Sequence, residues 1–67
     1  MTQKELLYVE DAVGHEQNLI KILTETINLL QNTDLKNFLS GQLKIHQDIK
    51  TELMNLLGGE IAWMINY

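Results

Sequence analysis

The chain has 67 residues, 45% of them apolar, a formal net charge of −4, and neither cysteine nor proline. That length allows one small domain whose core is marginal without a disulfide, a metal or a partner chain. The absence of cysteine excludes disulfides and thiolate zinc sites, and five lysines with no arginine argue against nucleic-acid binding, which favours the forked guanidinium.

The N-terminus carries no signal-peptide pattern, and no apolar run approaches the roughly 20 residues of a membrane span. A soluble, cytoplasmic, acidic helical protein is the expectation. Thr2 and Glu5 have the spacing of a capping box, a hydroxyl for an orphan amide and a carboxylate reaching back. Leu6, Val13, Ile20 and Ile27 then recur every seven residues, and Val9, Glu16, Leu23 and Leu30 fill the alternate positions. This predicts a helix over about 3–32 with Glu16 as the one charged member of its seam. A second stripe runs beside it through Tyr8, Ala12, His15, Leu19, Ile22, Thr26 and Leu29. The combined face is too wide for one partner helix, so the helix calls for two neighbours.

Residues 32–34 form the predicted turn, with Asn32 or Thr33 capping the next helix and Asp34 in its positive first turn. That second helix is predicted over about 34–57, with Leu35, Leu39, Gln42, His46, Ile49, Leu53 and Leu56 at helical spacing, widened by Phe38 and Ile45. Gly41 is a weak point or a close-contact site, and Gly58-Gly59 is a predicted stop. The apolar tail, residues 60–67, is expected as a short helix or an arm that packs onto a groove. The lysines read as outward, solvating residues.

Two such helices joined by a short turn make an all-α, antiparallel hairpin. One chain has only two, so a homodimer is expected to complete a four-helix bundle. A turn near Thr33 sets Ile20 level with His46 and Glu16 level with Lys50. Glu16 and His46 are then about four residues, or ~6 Å of rise, out of level, a gap their side chains can bridge. The plain expectation is a partly buried pair that fixes register. The functional one is metal: two copies would place Glu16 and His46, with His15 beside them, as ligands that iron, manganese or zinc accept. No catalytic constellation is visible, because Ser40 lacks a glycine elbow and no phosphate loop is present.

Residues 4–17, Lys-Glu-Leu-Leu-Tyr-Val-Glu-Asp-Ala-Val-Gly-His-Glu-Gln, resemble the start of the spore-coat protein F family, small bacterial proteins of spore-forming Firmicutes with a ferritin-like bundle. Asp34-Leu35-Lys36 and His46-Gln47 are similar too. The resemblance implies a ferritin-like arrangement and a structural place in the spore coat, among other coat proteins. Ferritin-like metal centres use Glu-x-x-His, and the residue three before His46 is Leu43, so that motif is missing. Family members carry about four helices in one chain, and the Gly-Gly and apolar tail depart from their pattern. The expected function is therefore a structural, self-associating, coat-like protein without catalysis or cofactor. A metal-binding bundle built on Glu16 and His46, or a module docking through the Trp63 arm, are the alternatives.

Overall fold

A computed structural model describes residues 1–65, with side chains for residues 1–58. Two α-helices, α1 (Gln3–Leu29) and α2 (Thr33–Ile65), pack together, and no strand occurs among the described residues. The chain is a rod of 49 × 17 × 15 Å. Its length is that of α2 alone, since 33 helical residues rise about 50 Å. Neither helix is long and apolar enough to cross a membrane.

The helix ends follow local chemistry. Thr2 Oγ1 accepts from the Glu5 amide at 3.1 Å, and the Thr2 amide donates to Glu5 Oε1 at 2.8 Å, so the capping box forms as the spacing predicts. α1 stops at Leu30, whose backbone is extended (φ −83°, ψ 145°). Asn32 is the cap of α2: its Oδ1 accepts from the Leu35 amide at 3.0 Å, and its carbonyl accepts from Lys36 at 3.0 Å. The connector is thus residues 30–32, centred on Gln31 and not on Thr33. Asp34 lies in the first turn of α2.

The far end of α2 corrects the expected stop. The helix continues through Gly58 and Gly59 to Ile65. Glycine ends a helix by taking a left-handed conformation, and no glycine among the described residues has positive φ. No proline follows to enforce a stop and the next six residues are good helix formers or apolar, so the glycines stay helical. The Trp63 arm lies outside the residues whose side chains are described.

The seam between the helices is read from burial. On α1 it holds Leu6, Val9, Val13, Glu16, Ile20, Leu23 and Ile27, as predicted. On α2 it runs through Lys36, Leu39, Leu43, His46, Lys50, Leu53 and Leu57, all half-buried. Leu39, His46 and Leu53 stand where expected. The other seam positions lie one residue beyond the predicted Leu35, Gln42, Ile49 and Leu56, of which Gln42 alone is half-buried. Lys36 and Lys50 are therefore not outward residues: both are half-buried, as a lysine is when its methylene stem lies along apolar surface and its ammonium keeps to water.

The reason for the shift is the width of the apolar arc on α2. Periodicity finds the centre of that arc, whereas α1 occupies one edge of it. The remainder stays open, as does the corresponding part of α1. Only Val13, at 9% exposure, counts as buried among the described side chains.

Candidate functional site

Glu16 and His46 meet across the seam. His46 Nδ1 donates to Glu16 Oε2 at 2.7 Å, with the two side chains 23% and 17% exposed. They are thirty residues apart with Gln31 midway. The connector centred there puts them level, where a turn at Thr33 had set them a helical turn apart. The same register puts Val9 level with Leu53 and Leu23 level with Leu39. The pair is thus one polar layer between apolar ones, with Glu16 at the midpoint of α1.

A carboxylate in this setting accepts the ring proton and so fixes it on Nδ1, leaving Nε2 as the free ring position. Nε2 has no hydrogen-bond partner among the described residues. His15 is exposed on the neighbouring stripe of α1. It is not drawn into the pair: no three His, Cys, Asp or Glu side chains among the described residues gather closely enough in one chain to hold a metal ion. The residue three before His46, Leu43, is half-buried in the seam, so the donors do not fit a carboxylate-bridged two-metal centre. No protein-family model, curated protein or solved structure matches this chain.

The second feature that chemistry can use is the open apolar side. Tyr8, Ile22, Leu29 and Phe38 are 60%, 57%, 83% and 63% exposed. Sequence periodicity had already placed the α1 members on one stripe. What it missed is how little of α2's apolar arc α1 covers, and the cap at Asn32 was the available signal, since it fixes the register of the whole hairpin.

At the N-terminus, the Thr2 backbone amide, and then its hydroxyl, hold the Glu5 carboxyl below its ordinary value. Lys4 Nζ stands 5.9 Å from the Tyr8 ring centroid, within cation–π range. Lys44 and Asp48 form an exposed ion pair at 3.8 Å one turn apart, a contact that contributes little to stability. These are features of helix stability and not of a site.

Proposed function

We propose that this chain is a structural, self-associating protein, half of a four-helix bundle, and not a catalyst. The observation that carries this is the amount of large apolar side chain left in water. Leu7, Tyr8, Ile22, Leu29, Leu35, Phe38, Ile45 and Leu56 are all at least half exposed, and Val13 alone is buried among the described side chains. A hairpin with so little interior falls short of the hydrophobic burial that ~70 residues need to fold alone. A second hairpin supplies it. The coat-like part of the proposal, with other coat proteins as neighbours, rests on the resemblance of residues 4–17 to the spore-coat protein F family. Glu16 and His46 serve this role as a register device: one polar layer in an apolar seam penalises any slip that would leave either group unpaired.

The experiment is thermal unfolding followed by circular dichroism over a hundredfold range of concentration. A chain whose folding is coupled to association melts at a temperature that rises with concentration. A concentration-independent melt of a fully helical monomer would count against self-association.

A second reading has its own observation. Nδ1 of His46 bonded to a carboxylate, with Nε2 free, is the arrangement that orients metal-ligating histidines. Two copies would offer two such rings to a single iron, manganese or zinc ion. Equilibrium dialysis of wild type and His46→Gln against zinc separates the readings: equal zinc binding by both removes His46 as a ligand.

A further inference from the structure

We infer that one particular side of the hairpin takes a second copy of this chain, the side formed by Tyr8, Ile22 and Leu29 of α1 with Phe38, Ile45 and Ile49 of α2. This rests on the self-association proposed above and names the surface that performs it. In an antiparallel helix pair, equivalent stripes of the two helices fall on the same side of the seam. The half-buried Ala12, Leu19 and Thr26 of α1 therefore adjoin Leu35, Gln42 and Ile49 of α2, and the more exposed Tyr8, Ile22, Phe38 and Ile45 lie just beyond. The two open arcs merge into one apolar face. The other flank of the seam presents Glu10, Gln17 and Thr24 opposite Ser40 and Gln47, all exposed, with Leu7 and Met54 as exposed apolar residues towards its far end.

Charge and area both point to a second copy as the occupant. The charge on this face sits towards its far end, where Glu5 continues the Ala12–Leu19–Thr26 stripe, Glu52 continues the Phe38–Ile45 stripe and Lys4 Nζ stands 5.9 Å from the Tyr8 ring centroid. His15 is nearer the middle, while Asp11, Lys21, Glu25, Asp34, Lys44 and Asp48 lie on stripes turned away from it. Two chains of charge −4 can meet there without bringing their main charges together, and a charged partner finds little to recognise. The accessible surface is 5259 Å² for a 7.7 kDa chain, against about 4,300 Å² for a compact monomer of that mass. The excess of about 900 Å², to which the stretch of α2 beyond the start of α1 also contributes, is of the order of the ~800 Å² that each partner covers in a standard protein interface. A pairing of like faces also brings the Glu16–His46 layers of both copies towards the common interior, since Glu16 and His46 sit on the seam stripes that border this face.

The test uses two residues of equal exposure on opposite flanks. Ile22 on the face and Leu7 on the other flank are both 57% exposed. Ile22→Glu and Leu7→Glu are compared with wild type by sedimentation equilibrium, with helix content read by circular dichroism. Leu7→Glu is expected to keep the wild-type mass and Ile22→Glu to fall to a single chain. Where Ile22→Glu also unfolds, Ile22→Ala serves, with a dissociation constant raised about tenfold against less than about twofold for Leu7→Ala. Association lost in Leu7→Glu and kept in Ile22→Glu would overturn the assigned face and leave self-association standing. A folded, single-chain wild type would overturn the self-association itself.

Discussion

His46 and Glu16 are joined at 2.7 Å, equidistant from Gln31, and among the described residues theirs is the hydrogen bond that links a side chain of α1 to one of α2. A double-mutant cycle measures its worth. Glu16→Leu and His46→Leu each leave a polar partner facing leucine. The coupling between the two sites is expected at about 1–2 kcal/mol by urea unfolding. The double leucine variant is expected to be at least as stable as wild type, because an apolar pair avoids desolvating both groups. A coupling near zero would mean that the bond does not contribute, and a double variant that fails to fold would contradict a merely register-fixing role.

Asn32 accepts from the Leu35 amide and positions the connector on which that register depends. Asn32→Ala is expected to cost about 1 kcal/mol, and Asn32→Gly only a few tenths. Equal losses for the two, measured by chemical unfolding, would mean that the side-chain cap is not what stabilises the start of α2.

The glycines offer a test in the stabilising direction. A methyl group added at Gly14, Gly41 or Gly58 meets nothing within 4 Å, and each position is helical. Alanine at each should raise stability by about 0.5–1 kcal/mol through helix propensity and a less flexible unfolded chain. Gly14 and Gly41 lie away from the apolar face, so their alanine variants should keep the wild-type oligomer. A destabilising Gly41→Ala would show that a neighbouring chain approaches the backbone there.

Acid should loosen the first turn of α1. The Glu5 carboxyl is held below its ordinary value of 4.5 by the Thr2 amide. A carboxyl lowered in the folded state contributes fully above its unfolded value, and that contribution is lost as pH falls through the folded one. Amide exchange at residues 2–6 is expected to quicken below pH 4.5 in wild type. In Glu5→Gln, whose amide can still cap without titrating, it should follow only the intrinsic pH dependence. The same acid response in both would assign the fraying to another group.

The predicted hairpin was legible because its signals are local. A capping box at Thr2 and Glu5 and a seven-residue period from Leu6 need no tertiary information. The level of Glu16 with His46 was less so, because Asn32 and Thr33 are both acceptable caps and choosing Thr33 displaces the pair by a turn. The seam of α2 was missed in part because a hydrophobic arc reports its own centre. Lys36 and Lys50 are half-buried while Leu35 and Ile49 are exposed, an outcome that depends on which edge of the arc α1 occupies. Gly58-Gly59 permits a stop that nothing after it requires, so α2 runs on past the start of α1.

The most direct measurement of the central claim is a native mass spectrum of the protein purified without chelator. A self-associating structural hairpin gives a species of two chains, twice 7.7 kDa, whose mass leaves no room for a stoichiometric metal ion. Two chains carrying one bound iron, manganese or zinc would put the metal reading of Glu16 and His46 first. A folded single chain of 7.7 kDa would rule out self-association as the source of stability, because it would show that these two helices are stable with their apolar face in water.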